Sequence, residues 1–230
     1  VQFMVIVRDF NRPPKDVVAG FADHSAADVH EAMGKKNAMA STIGHVGGPK
    51  NVYGPACTVR VPPGDNMMVH AGVEYAHPGD VLIVAAESDH AATWGELATQ
   101  NAQMQGLAGL VSNGNVRDIA YLSNSDLPVF AAAISQAGAV KETPGSVNVP
   151  VAVGGVTVSP GDIIVGDADG VTVVPRGDAH RVLEATEAKV KHEEYLRRQI
   201  REGRTLYELL NIDEKIADRD VRIVDSLNDL

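Results

Sequence analysis

The sequence predicts an α/β protein with parallel strand pairing, and three observations carry that reading. From Ala56 to Ala133, short Val-, Leu- and Ala-rich runs alternate with helix-length segments. Residues 145–175 are all strand and turn, with Val-rich runs split by Gly-Gly, Pro-Gly-Asp and Asp-Gly. From Asp178 the chain becomes helical and highly charged. Hydrophobic residues make up 44% of the chain and aromatics only 4%, so the core has to be aliphatic. That composition suits strands buried on both faces.

The elements follow in order. "VQFMVIV" (1–7) is apolar but short and lacks a basic leader, and reads as a strand or an ordered arm. "RPPKDVVAGFADHSAADVHEAMGKK" reads as two short helices, with Pro14 in the first turn of one and Ser25 capping the other. "GHVGGPKNVYGP" (44–55) reads as a loop. "ACTVRV" (56–61) alternates as a strand, "PPGDN" (62–66) breaks it, and "MMVHAGVEYA" (67–76) is a helix. "PGDVLIVAA" (78–86) is a turn feeding a buried strand. "HAATWGELATQNAQMQG" (90–106) is a helix stopped near Gly106. "LAGLVS" (107–112) is the next strand, "VRDIAYLSNS" (116–125) a short helix and "LPVFAAA" (127–133) a further strand. In the tail, Glu187 and Lys191, Glu193 and Arg197, and Glu194 and Arg198 stand at i,i+4 spacing. The expected organisation is a core over 1–176 and a helical extension over 177–230, long and polar enough to pack on a neighbouring subunit.

Composition limits the function. The chain has 230 residues and a formal net charge of −10, with no long basic run. That argues against nucleic acid, because phosphate-backbone contact needs clustered Lys and Arg. No apolar run approaches the roughly 20 residues of a membrane span. The single cysteine, Cys57, leaves no disulfide framework and no Cys-based zinc site, and a cytoplasmic setting is the expectation. The eight histidines form no His-x-His or His-Glu-x-x-His cluster. Phosphate loops of the Gly-x-x-x-x-Gly-Lys type and nucleophile elbows are also missing.

The strongest local signals follow buried strands. "TWGELAT" (93–99) carries Glu96, and "NGNVRD" (113–118) carries Arg117 and Asp118. Ligands in α/β sheets bind outside the carboxyl ends of the strands, so both stretches border one crevice. Asp118 is either a first-turn carboxylate beside a helix N-terminus or a ligand for a hard cation such as Mg²⁺. Arg117 is either half of a surface ion pair or a bidentate clamp on a carboxylate. A cation and a metal ligand side by side would together hold a small oxoacid.

"WGELAT", "GLAGLVSNGNVRD", "PPGDNMMVH" (62–70), "AISQAGAVKETPGSVNVPV" (133–151) and "PGDIIVGDADGVTVVPR" (160–176) together resemble the RraA-like family. The closer likeness is to its metal-dependent (class II) pyruvate aldolases, which cleave 4-hydroxy-4-methyl-2-oxoglutarate and 4-carboxy-4-hydroxy-2-oxoadipate. The likeness runs from about Val17 to Gly203.

The resemblance implies a swivelling β/β/α fold, in trimers or dimers of trimers. It implies Mg²⁺ or Mn²⁺ held by Asp118, with Arg117 on the pyruvate carboxylate and oxo group. Glu96 would orient metal-bound water, and Asn66 matches a substrate-pocket Asn. The backbone amides of Gly95, Leu97 and Ala98 would meet the substrate carboxylate. In "EEYLRRQIREG", Glu193, or next Glu194, matches a Glu donated by an adjacent subunit. Oxaloacetate decarboxylation is an implied side activity. Other members inhibit ribonuclease E, which leaves a protein-binding regulator as the alternative, beside a dedicated oxaloacetate decarboxylase. Three departures fall near the pocket: the short "AAESDHAATWGE" loop, "SNG" before the Arg-Asp pair, and Tyr121 where many relatives carry an acid.

Overall fold

The computed structural model describes residues 4–229. They divide into two compact units at Thr186–Glu187. The first unit is built on a nine-stranded mixed sheet. Its centre is four parallel strands in the spatial order β6 (Val129–Ile134), β5 (Gly109–Val116), β3 (Val81–Ala86) and β2 (Val52–Val61). β1 (Gly44–Gly47) adds antiparallel to β6, and the hairpin of β10 (Ile163–Asp167) and β11 (Gly170–Val174) adds antiparallel to β2. β4 (Ala92–Trp94) pairs with the end of β5, and β7 (Ser146–Val147) with β2. The path's two ends, β1 and β11, come near one another, so the sheet is nearly closed. A separate hairpin joins β8 (Val151–Val153) and β9 (Val156–Val158).

The parallel core follows from its sequence. "VLIVAA" and "GLVS" have no polar face to turn to water, and almost every residue in them is buried. Three helices cover one face of the sheet: α3 (Met67–Tyr75), α4 (Glu96–Met104) and α5 (Ile119–Leu122). There Val59, Val69, Val73, Leu82, Leu110 and Leu122 make a continuous aliphatic core around Trp94. The other face packs Ile83, Val111, Phe130 and Ile164 against the β8–β9 hairpin. A third cluster sits under α1 (Lys15–Gly20) and α2 (Ala26–Ala32), with Phe21 and Val29 at its centre. Ser25 caps α2, its hydroxyl accepting from the Asp28 N–H at 3.0 Å. Pro14 occupies the N-cap of α1, one place before the first turn.

Three boundaries differ from the sequence reading. "GHVGGPKNVYGP" is a loop only in its middle, because β1 and the start of β2 claim its two ends. Gly48, at φ 72°, makes this possible: a Cβ there would lie 2.0 Å from the Leu127 carbonyl oxygen. The expected helix from His90 starts only at Glu96, since Ala92–Trp94 pairs with β5. The expected helix 116–125 shrinks to Ile119–Leu122, because Val116 finishes β5 and "NGNV" continues the strand. The part of the N-terminal arm at residues 1–3 lies outside the described residues. Beyond it, Ile6 bridges Val147, and the Val7 N–H donates to the Val147 carbonyl at 3.1 Å.

The second unit begins inside α6 (Ala179–Arg201), a 23-residue helix. It continues through α7 (Leu206–Leu209), which carries a capping box of Thr205 and Glu208, and α8 (Ile212–Ala217). Among the described residues, no helix is long and apolar enough to cross a membrane.

Candidate active site

"NGNVRD" has a structural job before its last two residues. The Asn113 side chain accepts from the Ala86 N–H at 2.7 Å, and the Asn115 amide donates to the Asp89 carbonyl at 2.5 Å. These bonds tie the end of β3 to the end of β5. Arg117 and Asp118 then emerge at the carboxyl edge of the parallel strands, where such sheets bind ligands.

Asp118 adopts φ 59°, ψ 42°, a left-handed conformation that a non-glycine residue occupies at a cost of about 1 kcal/mol. It stands at the N-cap of α5 but does not cap it. Its Oδ2 instead accepts from the Glu96 N–H at 2.9 Å, so the carboxylate sits at the N-terminus of α4. The helix-start reading of Asp118 therefore holds for the wrong helix. Gly95 is what lets the two segments meet, because a Cβ there would lie 2.4 Å from Asp118 Oδ2. Arg117 Nε lies 3.6 Å from the same oxygen. The Arg117 N–H donates to the Trp94 carbonyl at 3.0 Å, and the Trp94 indole donates to Thr99 Oγ1 at 2.7 Å. Buried Trp94 and Thr99 thus hold both segments from beneath.

Trp94, Gly95, Glu96, Arg117 and Asp118 line a pocket of about 120 Å³ with Asn66, His70, Leu97, Ala98, Ala139 and Lys141. Arg117, Asp118, Glu96, Asn66, Gly95, Leu97 and Ala98, expected to act together, are brought together here. Glu96 is the first residue of α4 rather than a residue inside it, and its Oε1 accepts from the Gln100 amide at 3.0 Å. The N–H groups of Leu97 and Ala98 have no partner within the helix, as first-turn amides never do. Glu193 lies in the second unit on α6, paired with Lys189 and, at 2.7 Å, with Arg197. Glu194 is the next residue of that helix.

The sequence reading missed His70 and Lys141. His70 lies one helical turn beyond Asn66, which stands at the N-cap of α3, so i,i+4 spacing could have exposed it. Lys141 lies in an irregular segment with no such period. The pocket leaves buried polar atoms without partners, Asn66 Oδ1 and His70 Nε2. Buried unpaired groups of this kind mark places where a ligand or water completes the bonding. Burial, and after it the nearby Lys141, holds the His70 imidazole below its ordinary range.

The donor set fits a hard cation. Asp118 Oδ1 accepts no hydrogen bond among the described residues, and no group of three or more His, Cys, Asp or Glu there could hold a metal. One open carboxylate suits Mg²⁺ or Mn²⁺, which take one or two carboxylates and keep their waters. It does not suit a zinc cage.

Fold and site together define an α/β protein with a small polar pocket at the carboxyl ends of its parallel strands. The chain belongs to the RraA-like family, whose sequence model, described as Aldolase/RraA, matches residues 26–173. It is 36% identical over 186 residues to a protein of Halalkalibacterium halodurans provisionally named a 4-hydroxy-4-methyl-2-oxoglutarate aldolase, covering 80% of this chain and 89% of that one. Among solved structures it resembles Streptomyces coelicolor RraAS2, described as an unusual member of the RNase ES inhibitor RraA family. That match has a TM-score of 0.73 and 27% identity, over 82% of this chain and 99% of the other. It also resembles the RNA-processing inhibitor RraA from Thermus thermophilis, at TM-score 0.63 and 30% identity, over 67% and 94% of the two chains.

Proposed function

We propose that the protein is a divalent-metal-dependent aldolase that cleaves a 4-hydroxy-2-oxo diacid to pyruvate and a second oxoacid. One observation carries this reading: Asp118, Arg117, Glu96 and the N-terminus of α4 converge on a single small pocket. The named relative supports the same class of substrate, 4-hydroxy-4-methyl-2-oxoglutarate.

Asp118 would hold the cation, which would supply Lewis-acid stabilisation of negative charge on the 2-oxo oxygen. Arg117 pairs with the pyruvyl end of the substrate and neutralises charge beside the same oxygen. The first-turn amides of Leu97 and Ala98 receive the adjoining carboxylate. Glu96, through a water, takes the proton of the C4 hydroxyl. As that O–H bond becomes a C=O bond, the C3–C4 bond breaks and its electron pair stays on the pyruvate half. Protonation at C3 then gives pyruvate. Lys141 and His70, at the other wall, face the far carboxylate. The enolate formed on decarboxylating oxaloacetate is the same, so that reaction follows as a side activity. Glu193 belongs to this reading only as a residue supplied by a second copy, in a trimer or a dimer of trimers.

The test is a lactate-dehydrogenase-coupled pyruvate assay over 4-hydroxy-2-oxo acids and oxaloacetate, with and without Mg²⁺ or Mn²⁺. Pyruvate release that needs added metal is expected, and Asp118→Ala should lower kcat/KM by roughly 10²–10³-fold. Full activity of that variant in metal-free buffer would overturn the metal role. The neighbours described as a member of an RNase ES inhibitor family and as an RNA-processing inhibitor favour a second reading, a protein-binding regulator. Recovery of a ribonuclease on immobilised protein, with no pyruvate from any oxoacid, would favour it instead.

A further inference from the structure

Asp65 does not line the pocket, yet both segments of the wall that carries His70 and Lys141 hang from it. Its side chain is 1% exposed. Oδ1 accepts from the Met67 N–H at 2.7 Å, which sets the turn that starts α3 and so fixes Asn66 and His70. Oδ2 accepts from two N–H groups of the opposite segment, Glu142 and Thr143, each at 2.7 Å. Two backbone bonds complete the fastening, from the Asn66 N–H to the Val140 carbonyl and from the Val140 N–H to the Gly64 carbonyl, both 2.9 Å. Ala139 and Lys141, between these ties, line the pocket.

A buried carboxylate is costly unless its oxygens are bonded. Here no cation is in hydrogen-bond contact with it among the described residues, and the three backbone N–H groups carry that load. Burial pushes the Asp65 carboxyl up, but the three N–H bonds outweigh it and hold the group below the ordinary carboxylate range. Because every partner is main chain, the contact fixes backbone position and leaves the Lys141 side chain free to meet a ligand.

We propose that Asp65 is a positioning residue that holds the Lys141 segment against the start of α3, and through it sets the length of oxoacid the site accepts. The inference rests on the aldolase reading. Asn at 65 would keep one acceptor oxygen and turn an NH₂ against either the Met67 N–H, releasing one tie, or the Glu142 and Thr143 N–H groups, releasing two.

The experiment compares two reactions in Asp65→Asn. Exchange of pyruvate methyl protons in D₂O, followed by NMR, uses only the pyruvyl end of the site. Cleavage of 4-hydroxy-4-methyl-2-oxoglutarate uses both ends. The expected result is exchange within about twofold of wild type and a KM for the diacid raised about tenfold, with kcat little changed. Lys141→Ala should raise the same KM, and adding Asp65→Asn to it should change KM by less than about twofold, since both act through one contact. Equal loss of exchange and cleavage, or additive effects in the double variant, would overturn the positioning role while leaving the aldolase reading intact. Absence of both reactions in the wild type would instead overturn that reading, and this inference with it. If Asp65→Asn does not fold, Glu142→Pro deletes one N–H donor from an exposed residue and should give the same selective rise in KM. An unchanged KM there would count against the proposal.

Discussion

Asp118 and Gly95 act as one unit. The left-handed backbone at Asp118 turns its carboxylate toward the first N–H of α4, and Gly95 clears the space between them. A methyl group at 95 would have to displace either the carboxylate or the Arg117 stem, whose Cγ would lie 3.0 Å from it. Gly95→Ala is therefore expected to lower kcat/KM by at least about tenfold, because sub-ångström displacement of positioned groups costs that much or more. Steady-state pyruvate release, with circular dichroism to establish folding, checks this. Glu96, Arg117 and Asp118 stood out in the sequence because their stretches follow buried strands, and the structure brings them to one pocket. The orientation of Asp118 was not, because φ and the partner helix come from packing. His70 and Lys141 escaped notice for the same reason: a lone His and a lone Lys carry no pattern until the fold gives them a common wall.

The connection from β4 through α4 decides the site's geometry. "HAATWGE" has helix-like composition, yet Ala92–Trp94 is a strand because β5 offers it a partner and Trp94 a buried niche. Non-local pairing overrides local preference in such segments. The break falls at Gly95, so α4 begins with its N-terminus aimed at the pocket. Thr99 locks this start: its hydroxyl accepts from the Trp94 indole and donates to the Gly95 carbonyl at 3.0 Å. Thr99→Val would leave a buried indole N–H unpaired and should destabilise the protein by about 1–3 kcal/mol. Urea unfolding followed by circular dichroism measures this, and a loss below about 0.5 kcal/mol would mean the lock is slack. The strands of the parallel core were readable, since unbroken apolar runs admit no other solution. β1 was not, because four residues of "GHVG" acquire a strand's identity only from β6.

In the whole molecule, two groups, the half-buried His70 and the buried Asp65, tune stability to pH in the same direction. His70 has a folded-state pKa below its ordinary 6.5, so its contribution is complete above that value and is lost as pH falls through the lower one. Asp65 lies below 3.8, so its contribution persists to more acid conditions and is lost as pH falls below that value. Urea midpoints measured from pH 8 to pH 3 should therefore begin to fall below about pH 6.5, through His70, and fall again near the acid end, through Asp65. His70→Gln should remove the first decline. Retention of the first decline in that variant would mean other groups cause it.

From the sequence alone came the α/β class, the parallel strands, the strand-and-turn second half, the charged helical tail and the choice of Arg117, Asp118 and Glu96 as candidates. These depend on local composition and periodicity, which a chain carries with it wherever it folds. Tertiary structure decided that Asp118 serves α4 rather than its own helix, that His70 and Lys141 share its pocket, and that Asp65 fastens the opposite wall. Those facts join residues as much as 78 positions apart, as in the bond from Thr143 to Asp65. Proximity of that kind is a product of burial and strand register, and no local pattern encodes it.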